Sequence, residues 1–499
     1  MQTNNHIPNY FKSKQLKLPL SLEIKIPFDS EVRTFDEVFS KLEIDKYLKY
    51  PKDTRGRIGY NPHQMLKLIL FCQMEKIQTL RDLAKAARND IRIMWLTDEL
   101  MPSHQTIKTF MDKYLVNGID NIFYELTKYL IKEENIDTNN LFIDGTKIES
   151  VANKYSFTWR GSVEKFRDKL YKKISKLLTE LNLRYQESDM LFNTHETYDA
   201  TYLFKIKNFL DKEIKLHKIN FVAGKGKRKA PLQRDYEHIL DYITKLNEYQ
   251  NHLDIMGPDR NSYAKTDKSA TFMHMKEDHM RNSQLKPGYN IQIGVADEYI
   301  LHMDIYQDRS DYKTFIPFLE GLKQSYGYYP KYPVADAGYG GLVNYMYLKL
   351  NHMELFQKYT MYSKDTHDKK RMNDPYFALN LIKEGDDFKS PNGDVLKYVH
   401  KNKKGNEVYE LPNGKQKEIN NENLEYQKEV IKNLKSPLGI DLRNQRSIQV
   451  EGAFGVIKEA FNVRRFRRRG TVNVKMEFFL TAIGYNLRKY YNKKYRITE

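Results

Sequence analysis

Cysteine is almost missing from this chain: Cys72 is the only one among 499 residues. Intramolecular disulfides and cysteine-clustered zinc are therefore both excluded. Cys72 lies in "QMLKLILFCQM", where it reads as a small buried apolar residue rather than a nucleophile. Long hydrophobic runs are missing too. No segment approaches the ~18 uninterrupted apolar residues of a membrane span, and the opening "MQTNNHIPNYFKSKQLKLPL" holds no signal-peptide core. The expectation is a soluble, cytoplasmic protein with no membrane partner. Acid is scarce relative to base: 65 Asp and Glu stand against 83 Lys and Arg, a net charge of +18. Such an excess favours a polyanion, and without membrane features that polyanion is nucleic acid.

What is present supports sizeable cores. Apolar residues make up 40% of the chain, with 25 Phe and 37 Tyr, and the length calls for two to four structural units. The positive charge is clustered. "GKGKRK" brings together Lys225, Lys227, Arg228 and Lys229, and "VRRFRRRG" brings together Arg464, Arg465, Arg467, Arg468 and Arg469. Arginines that close repel one another without a counter-anion, so phosphate contact is expected there. For the lysine-rich loop a solvated face is an equally good reading.

Residues 34–115 read as helical. Thr34 and Glu37 suggest a capping box ahead of Phe35, Val38, Phe39 and Leu42, and Asn61-Pro62 a cap and first turn. A helix over 79–87 precedes "MPSHQTIKTFMDKY", where Ser103 caps a second one. Two short helices and a turn suit a helix-turn-helix-like module, with Gln105 and Lys108 as side chains for a major groove; a plain helical bundle fits the pattern equally. Residues 162–255 read as an inserted helical hairpin. Ser162 caps a run with Val163, Phe166, Leu170, Ile174, Leu177 and Leu181 on one stripe, and a return helix carries Leu232 to Leu253. "GYNIQIGVADEYILHMDIY" is a β-hairpin, "DYKTFIPFLEGLKQSYG" an amphipathic helix and "YYPKYPVADAGYGG" a short strand with a Gly-rich exit. Residues 366–438, with two "PNG" turns, form a β-rich insertion, and the chain returns to helix after it. The fold class is α/β, a core interrupted twice and preceded by an all-helical domain.

Three acids recur in suggestive places. Asp144 follows the apolar run of "LFIDG", Asp336 follows that of "YPVAD", and Glu451 sits at the margin of the apolar stripe in "SIQVEGAFGVIKEAF". Each alone is satisfied by a bland reading, a turn-forming Asp or a first-turn Glu. Together, three hard oxygen ligands could hold Mg²⁺. Two such metals can activate water or a 3′-hydroxyl and stabilise the leaving oxygen at phosphorus. Lys458, seven positions after Glu451, returns to the same side of its helix. Asp267, Asp304, Asp308 and Asp311 read as surface or turn acids, and Tyr155 and Trp159 as core aromatics rather than base-stacking ones.

At these residues the chain resembles the bacterial insertion-sequence DDE transposases, of the IS-four-like superfamily with an RNase H-like catalytic domain. The resembling segments are "GRIGYNPHQMLKLILF", "FIDGTKIESVANKYSFTW", "RNSYAKTDKSATFMHMKEDHMRNSQLKPGYNIQIGV", "VADAGYGG" and "RSIQVEGAFGVIKEAFNVRRFRRRG". The resemblance implies that Asp144, Asp336 and Glu451 are the metal-binding triad, with Mg²⁺ or Mn²⁺ as cofactor, and that Lys458 is the family's lysine. It places the family's arginine four positions before the Glu, where this chain has Ser447; Arg446 is the nearest arginine. It implies double-stranded DNA as partner, both terminal inverted repeats and target, and a homodimer in the DNA complex at the bacterial nucleoid. The implied division is a leader over 1–24, a helical DNA-binding domain over 25–118, and an RNase H-like core over 119–160, 259–365 and 441–499. A helical insertion would fill 161–258 and a β-rich one 366–440. A nuclease of the same fold without strand transfer, and a degenerate transposase acting only as a DNA-binding protein, are the alternatives.

Overall fold

The computed structural model describes residues 22–48, 59–185, 191–224, 228–275 and 284–495. Lys225 and Lys227 of the basic loop lie outside them. The chain divides into two compact units, one of residues up to Ile136 together with Phe478 onward, the other Asp137–Glu477.

In the first unit the described residues build helices α1 (Glu31–Ser40), α2 (Pro62–Met74), α3 (Leu80–Asn89), α4 (Ile91–Leu96), α5 (His104–Phe110) and α6 (Ile119–Glu133). Side chains of Asn61, Thr79 and Ser103 accept from the amides of His63, Asp82 and Thr106, satisfying first-turn donors that have no partner within the helix. The capping box expected at Thr34 and Glu37 is absent. The apolar spacing starts earlier, at Val32, so α1 begins at Glu31 and buries Thr34 inside it, while Glu37 pairs with Lys41 and Lys494. The unit also outruns the boundary expected at 118, because α6 packs its apolar face inward and sets Phe123 against Phe479, ring centroids 5.2 Å apart. Cys72 is fully buried, and burial pushes its thiol pKa far up.

The second unit opens with β1 (Asn140–Glu149), β2 (Phe157–Trp159), and helices α7 (Arg160–Arg184), α8 (Ala200–Leu216) and α9 (Pro231–Met256). β3 (Ser262–Ala264), β4 (Thr271–His274), β5 (Leu285–Ala296), β6 (Tyr299–Tyr306), α10 (Asp311–Tyr326) and β7 (Tyr332–Val334) follow. β5 is the spine of a five-stranded sheet. β4 and β6 pair with successive stretches of one edge, and β1 lies antiparallel along the other. β7 pairs parallel to β1, with Phe142 opposite Val334. The β5–β6 turn is made by Asp297 and Glu298, both at positive φ, which suits the twist of a two-residue hairpin.

Two expectations change here. The strand does not end at the acid: β1 runs on past Asp144 to Glu149, and Asp144 pairs with Ile293 in mid-strand. The helical insertion is not a hairpin, since α8 adds Leu203, Ile206 and Leu210 to a core with Ile174 and Leu178 of α7 and Ile239 and Ile243 of α9. α7 starts at Arg160, so Ser162 is inside it rather than capping it, and Phe166 is 53% exposed rather than on the apolar stripe.

The rest of the unit holds α11 (Leu342–Leu350), α12 (Tyr362–His367) and α13 (Lys369–Met372). An antiparallel meander comes next: β8 (Ile382–Glu384), β9 (Asp387–Lys389), β10 (Val395–Lys401), β11 (Glu407–Glu410) and β12 (Gln416–Ile419). Its two "PNG" turns end on Gly393 (φ +91°) and Gly414 (φ +75°), a region that favours glycine. Helices α14 (Asn421–Lys435), α15 (Pro437–Arg446), a π-helical turn Ser447–Glu451, α16 (Gly452–Glu459) and α17 (Thr471–Tyr495) complete the chain. The expected third core segment, 441–499, is thus shared between the units, because residues from Phe478 cluster with the first one. No described helix is long and apolar enough to cross a membrane.

Candidate functional site

A cavity of about 1300 Å³ opens in the second unit, and Asp144, Asp336, Glu451 and Lys458 all line it. They come from mid-β1, the loop after β7, and the helix pair around residue 451. Local geometry holds each one. Asp144 Oδ1 accepts from the Gly145 amide at 2.7 Å, and Asp336 Oδ1 accepts from the Gly338 amide at 2.7 Å. A Cβ at Gly145 would lie 2.2 Å from the Gln292 amide nitrogen, so any larger residue there would displace that side chain. Lys458 extends over the Phe454 ring, 5.7 Å from its centroid.

Arg446 joins two of the acids. Its guanidinium lies 3.4 Å from Asp144 Oδ2 and 3.9 Å from Glu451 Oε1. Glu451 also accepts from the Ser447 hydroxyl at 2.9 Å. An arginine five positions before a glutamate points away from it in an α-helix, yet this one faces it. The reason is the π-helical turn at Ser447–Glu451, whose hydrogen bonds run from i to i+5 and so absorb one extra residue. The side chains of Asp144 and Arg446 are 22% and 18% exposed, and that of Glu451 64%.

Asp311 also lines the cavity, as do Glu149 and Glu459; the sequence suggested a surface residue at 311. Its Oδ1 accepts from Asn290 at 2.8 Å and from Gln292 at 3.0 Å. Both amides are fully buried, so they pin the carboxylate at the start of α10. Gln292 in turn accepts from the Tyr339 hydroxyl. Burial, then the charges of Asp311, Asp144 and Asp336, push the Tyr339 pKa well up, and the phenol stays a donor. Alternating polar residues on β5 were the available signal, but they identify an acid's partner only once the hairpin is placed against α10. On another flank, burial and the charges of Arg443 and Arg446 lower the Lys358 pKa, opposed by Asp336.

Two sequence families match the chain. One, described as a transposase DDE domain, matches residues 401–491, and one described as a transposase domain matches residues 20–113. Both matches support an insertion-sequence DDE transposase. The DDE match includes Glu451 and Lys458 but stops short of Asp144 and Asp336. No curated protein and no solved structure gives a significant match.

DDE transposases as a group use divalent metals. The donor set found here fits in kind, since carboxylate oxygens suit Mg²⁺. A cation, the Arg446 guanidinium, already stands between two of the acids. Among the described residues no three His, Cys, Asp or Glu side chains are gathered tightly enough to enclose one ion.

The other expected contacts are dispersed. Arg464 lines the cavity and pairs with Glu459. Arg465 donates to the Ser150 carbonyl at 3.1 Å and pairs with Glu149 at 3.6 Å. Arg467 pairs with Glu477 at 3.8 Å, and the amides of Arg467 and Arg468 also donate to that carboxylate. The arginine cluster therefore has counter-anions within the protein, Glu459, Glu149 and Glu477, besides any phosphate. Arg467 and Arg469 remain exposed. In the lysine-rich loop Arg228 is exposed and Lys229 pairs with Glu237 at 2.7 Å. Gln105 and Lys108 are exposed on α5, with Lys108 tied to Asp112 at 2.8 Å. Three other readings change. Asp267 is buried and accepts from Ser150 and Tyr289, Tyr155 is 89% exposed rather than core, and Asp304 pairs with Lys475 at 2.8 Å. Trp159 is half-buried and packs on Phe272 at 5.7 Å.

Proposed function

We propose that this transposase binds the terminal inverted repeats of its insertion sequence, cuts at their ends and joins them to target DNA, with Asp144, Asp336 and Glu451 as the metal-holding acids. The observation that carries the reading is the convergence of these acids and Lys458 on one cavity from a strand, a loop and a helix. Their oxygens would hold Mg²⁺, or Mn²⁺ in its place. Bound there, the metal would activate water or a 3′-hydroxyl and stabilise the leaving oxygen. Lys458 steadies the strand that carries the hydroxyl, and Arg446 exchanges its carboxylates for a phosphate as DNA enters. Arg464, Arg465, Arg467, Arg468 and Arg469 grip the backbone, with the loop of Lys225, Lys227, Arg228 and Lys229 as a second grip.

The mixed sheet, with one acid on β1 and another just beyond its parallel neighbour β7, supports an RNase H-like core interrupted by the helical and β-rich insertions. The helices of the first unit, with Gln105 and Lys108 on α5, are assigned to repeat recognition, and a homodimer would hold two ends together.

The test combines purified protein, Mg²⁺, pre-cleaved repeat ends and a target plasmid. Covalently joined products are expected, and a 3′-dideoxy end should abolish them. Lys458→Ala should impair joining while Mn²⁺ binding, measured by calorimetry, stays intact. Hydrolysis without joining would identify a nuclease, and specific binding without either activity a DNA-binding protein.

A further inference from the structure

The helical insertion carries a basic face that neither the acids nor the arginine cluster accounts for. α7 has eight basic residues and three acidic ones, Glu164, Asp168 and Glu180. Each acid is paired with an arginine, Arg160 at 3.6 Å, Arg167 at 3.6 Å and Arg184 at 3.4 Å. The five lysines that remain, Lys165, Lys169, Lys172, Lys173 and Lys176, are all exposed. Among the described residues no carboxylate lies within ion-pair distance of any of them.

Their spacing places them together. At 3.6 residues per turn these lysines fall within about 100° of arc, over an axial length of roughly 16 Å. The opposite side of α7 is the buried stripe of Leu170, Ile174, Leu177, Leu178 and Leu181. Phe166 flanks the stripe, 53% exposed, with the Lys169 ammonium 6.0 Å from its ring centroid. Lysines crowded on one straight face without carboxylates repel one another until a polyanion neutralises them. A linear row of ammonium groups matches a linear polyanion, and duplex DNA presents one charge per ≈ 1.7 Å of its axis.

We propose that this face of α7 is a duplex-DNA docking surface, contacting backbone phosphates without reading sequence. The inference rests on the DNA-acting reading above and adds to it a surface on the insertion. The lysine stems and Phe166 lie along the duplex while the ammonium groups replace condensed counterions.

The test uses the full chain and a duplex carrying the terminal repeat. The variant K165A/K169A/K172A/K176A keeps good helix formers throughout α7, and circular dichroism checks its fold. Each phosphate contact contributes about 0.9 to the slope of log K against log salt. The slope should therefore fall by two units or more, up to about 3.6 if all four lysines engage. A control removing equal charge from the β-rich insertion, K397A/K401A/K403A/K404A, should change it by less than one unit. A second readout uses Lys169→Cys bearing a photocrosslinker, since the one native thiol is buried; it should capture the duplex. A slope change no larger than the control's, or no crosslink from position 169 in a chain that binds duplex, overturns the proposal. A wild-type chain that binds no duplex at all would defeat the DNA-acting reading itself.

Discussion

Arg446, the last residue of α15, lies 3.4 Å from Asp144 of β1. Its charge satisfies a carboxylate that would otherwise face other acids, and it occupies the ground a divalent ion would contest. Removing it should therefore help the metal. Arg446→Ala should tighten Mn²⁺ binding about tenfold at low salt, from the Coulomb term between a divalent ion and one charge at such range. Arg446→Lys should change it little. Calorimetric titration of Mn²⁺ measures both, and weaker binding by the alanine variant would assign Arg446 to building the site rather than guarding it.

The three acids should be separable from DNA binding. Asp144→Asn, Asp336→Asn and Glu451→Gln each remove one charge while keeping side-chain shape. Each should reduce strand cleavage at least a thousandfold, with repeat binding in a gel-shift assay within about threefold of wild type. Glu451 is the most exposed of the three, so its variant should be the least disturbing to stability. Substantial cleavage by a purified variant in Mg²⁺ would remove that residue from the set.

Asp311 should be structural as well as close to the chemistry. Asn290 and Gln292 both donate to its Oδ1 and are fully buried. Asp311→Ala leaves two buried amides without that acceptor, at a cost of about 1–3 kcal/mol each. A lowered urea midpoint with an unchanged slope would report this loss. An unchanged midpoint would mean that the amides find other acceptors.

The arginine cluster should count for less in DNA binding than its sequence suggests. Arg467 already has Glu477, and burial raises the pKa of that glutamate against the pull of its arginine neighbours. Changing Arg467, Arg468 and Arg469 to Ala should flatten the salt slope by about one to two units rather than three, at ~0.9 per phosphate. A loss near three would show that DNA displaces the internal pairs.

Local pattern carried much of this fold. Asn61 and Ser103 cap where expected, and the β5–β6 hairpin follows its alternation, because these depend on neighbours a few residues away. The acids at 144, 336 and 451 were visible as acids on apolar margins, and they do line one cavity. What escaped depends on distant partners. Asp311 is a turn acid until Asn290 and Gln292 are set beside it. The counter-anions of the arginine cluster include Glu149, about 300 residues away in sequence. The π-helical turn was hidden for another reason: motif spacing assumes an α-helical register, and one inserted residue shifts the arginine from 447 to 446 without moving its side chain from the acids. α8 was simply unread, although Leu203, Ile206 and Leu210 have helical spacing.

His302 gives a pH signature that involves no DNA. It lies on β6, 2% exposed, edge-on to Phe318 at 4.6 Å. Burial pulls its pKa down to about 4; Lys475 adds to this and Asp304 opposes it. An unfolded histidine titrates near 6.5, so between about pH 6.5 and 4 the unfolded chain binds the extra proton. Its contribution to stability is complete above pH 6.5 and is lost as pH falls toward 4, a change on the order of 3 kcal/mol. His302→Gln removes the titration while keeping a polar side chain of similar reach. Urea midpoints for both proteins at steps from pH 7 to pH 4 isolate it, because every other group is shared. The wild-type advantage should shrink steadily on acidification. A difference that stays constant across that window would mean that His302 titrates alike in the folded and unfolded chains.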